Sequence, residues 1–183
     1  VFKRLSIIAA IIIAFAIPTT SYAGPNDFQA GPAIESFGKI ASVDADFDIP
    51  RRTRLKVVFD TAKKADSGEL NRTLNSAARF INMHADAGIP VTRIKLAVVF
   101  HGKGSFDLTR DNLYKGKSEN MANANKELIA ALQEHGVRII LCGQSAAYHE
   151  INKEDLLPGI EMALSAMTAH ALLQQEGYTL NPF

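Results

Sequence analysis

Residues 94–101 read Ile-Lys-Leu-Ala-Val-Val-Phe-His, an apolar run that stops at an ionisable side chain. A run of this length and composition suits a strand buried on both faces, the usual state of a strand in a parallel sheet. Two more runs of the same kind flank it, Leu-Lys-Val-Val-Phe-Asp at 55–60 and Val-Arg-Ile-Ile-Leu-Cys at 137–142. Helical spacing fills the gaps. Leu70, Leu74, Ala77, Ile81 and Ala85 recur behind a capping box of Asp66 and Glu69, and Gly88-Ile89-Pro90 stops that helix. A second helix is expected over 124–135, with Leu128, Ile129 and Leu132 inward and Gly136 as its stop. Beyond residue 142 come a short turn or helix at 145–150 and a turn at 153–158. A weak strand follows at 160–163, then a helix capped by Ser165 and ended by Gly177, and a fifth strand at 178–180. Strands alternating with helices make right-handed βαβ units, hence an α/β fold with a parallel sheet covered on both faces.

Outward from these units the chain ends carry a different message. Lys3 and Arg4 precede an apolar run over 5–17, Pro18 breaks it, and Ser21-Tyr22-Ala23 places small residues where a signal peptidase reads. Thirteen helical residues reach only about 20 Å, short of the ~30 Å hydrocarbon core, so a membrane anchor fits less well. The expectation is a signal peptide at 1–23, cleaved before Gly24, and a periplasmic product with no membrane attachment. Residues 24–50, rich in Gly, Pro and Asp, read as an extended arm over a single domain at 51–183. Cleavage would leave 160 of the 183 residues and turn 20 basic against 19 acidic side chains into 18 against 19. No basic block and no interleaved aromatic pattern points to nucleic acid.

Ligands of open parallel sheets bind beyond the carboxyl ends of the strands, and the three strong runs end in Asp60, His101 and Cys142. Cys142 is the single cysteine, so no internal disulfide can form and the thiol is either shielded or available. Gly143, Gln144 and Ser145 follow it, a tight turn opening a helical segment whose N–H groups would favour thiolate. Position alone leaves two readings open, a reactive thiolate and a small buried hydrophobe. His101 leads into Gly102-Lys103-Gly104, either a partner for the thiolate or an ordinary strand-end histidine with turn glycines. His149 lies near Cys142 in sequence. Asp60 reads as a turn former before it reads as an acid. His84, His135 and His170 read as structural helix residues. No His-x-x-x-His, Cys-x-x-Cys or Gly-rich phosphate loop is present, so neither a metal nor a cofactor is expected.

The stretch from Cys142, CGQSAAYHEI, then the acidic-Leu-Leu-Pro-Gly at 155–159 and LSAMTAHALLQQEGY at 164–178, resembles the DsrE/DsrF-like family. KLAVVFHGKG at 95–104 and LKVVFD at 55–60 look like its first two strands. The likeness is greatest to exported members with one cysteine. It implies a three-layer α/β/α sandwich with a mainly parallel five-stranded sheet, assembled as a homotrimer or hexamer. It also implies a sulfur-handling role, in which the residue matching Cys142 carries sulfur as a persulfide between donor and acceptor proteins or small sulfur species. Relay members usually continue with Arg-Gly where this chain has His149-Glu150. The competing expectation is an oligomeric small-ligand-binding or scaffold module with an inert cysteine.

Overall fold

The computed structural model describes residues 24–181, so the expected signal peptide lies outside the described residues. Five strands form one sheet: β1 (Leu55–Thr61), β2 (Ile94–Phe100), β3 (Arg138–Cys142), β4 (Glu161–Ala163) and β5 (Thr179–Asn181). Their order is β4-β3-β2-β1-β5 and every pairing is parallel. The helices are α1 (Arg72–Asp86), α2 (Asp111–Tyr114), α3 (Lys126–Glu134), α4 (Gly143–Tyr148) and α5 (Ala166–Gln175).

Alternation along the strands divides the core in two. Val57, Phe59, Leu96, Val98, Phe100, Ile139 and Leu141 pack with Leu74, Ile81, Leu128 and Leu132 under α1 and α3. Val58, Ala97, Val99 and Ile140 face the other way, onto Ala169 and Leu173 of α5. The result is the expected three-layer α/β/α sandwich. Its strong strands read as continuous apolar runs because helices cover both of their faces. Among the described residues no helix is long and apolar enough to cross a membrane.

The start of α1 differs from expectation. The Asp66–Glu69 pair forms a turn, with the Glu69 N–H donating to the Asp66 carbonyl, and the helix begins six residues after Asp66. Its cap is Asn71, whose side-chain oxygen accepts from the N–H groups of Thr73 and Leu74. Asn71 wins because its amide is also fixed from afar, donating to Asp107 Oδ2 at 2.7 Å while its own N–H donates to Asn125 Oδ1 at 2.6 Å. Local spacing could not reveal those partners.

The segment before the sheet is clasped to α1. Gln29 and Ile40 pair as an antiparallel bridge. Inside that loop the Asn82 side chain accepts from the Ala33 and Ile34 N–H groups and donates to the carbonyls of Ile34, Phe37 and Gly38. Residues 41–49, in contrast, make no hydrogen bond to the domain.

Candidate functional site

At the carboxyl end of the sheet, β2 and β3 are neighbours, with Phe100 opposite Leu141. The next pair along is His101 and Cys142. His101 keeps extended backbone angles, so the two-residue alternation continues and its side chain follows Val99 onto the α5 face. Cys142 follows Ile140, and Asp60 follows Val58, onto that same face. Three chemically able side chains from three adjacent strands therefore share one rim. The cause is parity: each lies two residues beyond a core residue that faces α5.

Asp60 is the centre of the polar half of this rim. Its Oδ2 lies 3.0 Å from His101 Nε2, and its Oδ1 lies 2.7 Å from His170 Nε2. One carboxylate thus joins a strand-end histidine to a histidine of α5. Both Nε2 atoms face an acceptor, so both carry hydrogen. The Nδ1 of His170, by contrast, is buried and has no partner. Asp60 and His101 are each 35 % exposed at the side chain, and His170 is more covered. The carboxylate stands between the imidazoles instead of beside them. Among the described residues no group of three or more His, Cys, Asp or Glu side chains is arranged to hold a metal ion.

Cys142 forms the other half. It is the N-cap of α4 and is 6 % exposed. Burial pushes its thiol up, but the polar groups gathered around the sulfur, the Ser145 hydroxyl first and then the N–H groups of Ser145, Ala166 and Gln144, outweigh burial and hold the thiol below its ordinary value, although Sγ makes no capping hydrogen bond to α4. Ala166 is the first residue of α5, whereas Gln144 and Ser145 belong to α4. The starts of two helices therefore converge on one sulfur. Lowered thiols in other proteins sit in such settings.

Two glycines make the approach possible. A Cβ on Gly143 would stand 2.6 Å from the Ala163 carbonyl oxygen, so only glycine lets α4 begin this close to the edge strand β4. Gly102 takes a φ of +50°, and its N–H donates to Ser145 Oγ at 2.9 Å. That leaves the Ser145 hydroxyl hydrogen free for the sulfur. The loop after β2 is thus tied to α4, the helix that Cys142 caps at the end of β3, through one hydroxyl.

The expected residues divide accordingly. Asp60 and His101 meet each other; Cys142, Gly143, Gln144 and Ser145 meet around the sulfur; and Gly102 links the two groups. His101 aims Nε2 at Asp60, and no hydrogen bond joins its ring to Cys142. His149 packs tilted against Phe106 and edge-on against Tyr148, with ring centroids 4.9 and 5.0 Å away, and makes no hydrogen bond to the sulfur. Lys103 is exposed and its charge does not act on the thiol. Ser145 lies inside α4, which begins at Gly143 rather than at 145, and Cys142 takes the cap position. His84 and His135 bond the carbonyl four residues back, as structural helix histidines do.

His170 is the correction. It belongs to the site, and a sequence signal pointed there: Ala166, Ala169, His170 and Leu173 recur at helical spacing on the buried stripe of α5.

A protein of unknown function from Methanobacterium thermoautotrophicum is similar in structure, with a TM-score of 0.51 and 23 % identity, over 70 % of this chain and 99 % of that one. The ychN protein of E. coli aligns over the same shares, 70 % and 99 %, with a TM-score of 0.49 and 14 % identity. None of the curated proteins compared with the chain matches it. The first likeness speaks to the fold alone. The model of the DsrE/DsrF-like family matches residues 55–182, which span all five strands and every residue of the rim, and the chain belongs to that family.

Proposed function

We propose that this is an exported, periplasmic sulfur-handling protein in which Cys142 accepts and passes on sulfane sulfur, as a carrier or sulfurtransferase. The observation that carries the reading is the place of Cys142, at the N-cap of α4 and beside the start of α5, one strand from the Asp60–His101–His170 cluster, where N–H groups and the Ser145 hydroxyl surround the sulfur. Those donors favour thiolate, the nucleophilic form, despite burial. Loading is an exchange. The Cys142 thiolate attacks the terminal sulfur of a donor persulfide R–S–SH, the bond between the donor's two sulfurs breaks, and R–S⁻ leaves with its electron pair. The product is Cys142–S–SH, and an acceptor thiolate unloads it by the same step in reverse. No external oxidant or reductant enters. A single cysteine suits a carrier, because no second thiol of the chain can resolve the persulfide into a disulfide. The Asp60–His101–His170 group stands at the adjacent strand ends, where it can hydrogen-bond an incoming donor.

The burial of Cys142 favours a second reading, an oligomeric binding or scaffold module with an inert thiol. One experiment separates the two. Intact mass is measured before and after exposure to polysulfide, with Cys142→Ser as control. The carrier gains one sulfur and the control none. A wild-type protein that gains nothing, and alkylates only after unfolding, makes the module the correct description.

A further inference from the structure

Residues 43–49 read Val-Asp-Ala-Asp-Phe-Asp-Ile, apolar at 43, 45, 47 and 49 and acidic at 44, 46 and 48. Strict alternation of this kind is the signature of a strand with one dry and one wet face. Yet these residues form no strand and no hydrogen bond to the domain, and Val43, Phe47 and Ile49 are 76 %, 89 % and 40 % exposed.

The sheet offers a place for such a strand. β4 lies at the end of the strand order, so its outer N–H and C=O groups face no other strand. The two sides of that edge differ. On the α5 side a mostly apolar groove of about 220 Å³ runs between β4 and α5, lined by Ala163, Leu164, Leu172 and Leu173 together with the ion-paired Arg138, Glu161 and Glu176, and Leu164 and Leu172 are exposed. On the opposite side the exposed cations Arg110 and Lys153 line a pocket with Leu157 and Ile160. A strand added to β4 would send alternate side chains to these two sides. The apolar set of 43–49 matches the groove, and the three aspartates match the cations.

We infer that residues 43–49 of one copy add as an edge strand to β4 of a second copy. The arm of the same copy cannot reach. Its far end is tethered just before Ile40, where Asn82 and Arg79 of α1 donate to the Gly38 and Lys39 carbonyls, and α1 lies over β1 and β2. Three residues span about 10 Å from Ile40 to Val43, whereas a strand outside β4 stands three strand spacings, about 14 Å, beyond β2. The contact joins the arm of one chain to the edge of the next, so it is heterologous and closes into a ring where the rotation allows. It does not depend on the chemistry of Cys142.

The test is light scattering of the purified protein at micromolar concentration, with circular dichroism to verify the fold of each variant. The wild type is expected to be oligomeric. Asp44→Lys/Asp46→Lys/Asp48→Lys, placed on an arm that makes no hydrogen bond to the domain, is expected to weaken association at least tenfold. Adding Arg110→Glu/Lys153→Glu is expected to restore it. Phe47→Asp, which leaves the charges of the edge untouched, is expected to dissociate the protein as well. A monomeric wild type overturns the inference. So does an oligomer indifferent to the arm variants, and dissociation that the reciprocal charges fail to reverse overturns the assignment to β4.

Discussion

Two aspartates at the same end of the sheet lead opposite lives. Asp107 is fully buried in the loop after β2, where Oδ2 accepts from the Ala65 N–H and the Asn71 amide, both at 2.7 Å. Around it Asn123 donates to the carbonyls of Asp107 and Thr109, and Asn125 binds both Asn123 and Asn71. Burial pushes the Asp107 carboxyl up, against the opposing pull of Asn71, Ala65 and Lys64. Asp60 is one-third exposed and joins two histidines. The buried network satisfies backbone groups and shapes a long loop; the rim cluster satisfies almost no backbone and aims side chains at solvent. Burial together with backbone partners marks scaffold, and half-exposure with ionisable partners marks a site.

The sharpest way to break that contrast is to delete each carboxylate. Asp107→Ala strands two buried donors, and about 2–4 kcal/mol of folding stability should be lost in urea denaturation. Asp107→Asn keeps an acceptor oxygen for both and should cost much less. If the two variants fall together, the buried charge and not the hydrogen bonds holds the loop.

On the site side precision comes from backbone contact, which the next variant probes. Gly143→Ala puts a methyl group 2.6 Å from the Ala163 oxygen, and α4 or β4 must shift. The expected cost is about 1–3 kcal/mol of stability, measured by thermal unfolding, together with slower sulfur loading of Cys142. Unchanged stability would mean that the edge strand yields freely.

Asp60→Asn should move stability by less than about 1 kcal/mol, since the bonds it makes are half-exposed. Its effect should fall on the rate of sulfur uptake instead, read by mass against time. A large stability loss with unchanged uptake would make Asp60 scaffold too, and erase the distinction from Asp107.

The smallest effect is a pH dependence. The folded thiol of Cys142 is held below its ordinary value, so between the folded value and the unfolded one, near ~8.5, the unfolded chain binds more protons. Stability relative to Cys142→Ala should therefore rise with pH through that window and fade below it. A difference that shrinks as pH rises would place the thiol in an ordinary apolar core.

How much of this could be read in the residues follows from distance along the chain. The strands were legible because Leu96–Phe100-type runs carry their burial in their own composition, and Cys142 because it ends such a run. The cap of α1 was not, since Asn71 depends on Asp107 and Asn125, 36 and 54 residues away. The role of His170 was half legible: its spacing showed an inward side chain, but its partner Asp60 lies 110 residues off. The Ala166 N–H that meets the sulfur announces nothing, because any residue there would supply it.

The Asn82 clasp has a consequence for cleavage. Its amide joins backbone groups as far as 49 residues away in the chain, so the loop around Ile34 is held by α1 and not by continuity with β1. In a single copy, the exposed stretch at 42–52 is the natural place for a protease to cut, and docking of 43–49 on a second copy would cover it. A nick there would leave two polypeptides and one fold, the shorter piece retained as a non-covalent tenant that exchanges its amides only when α1 does.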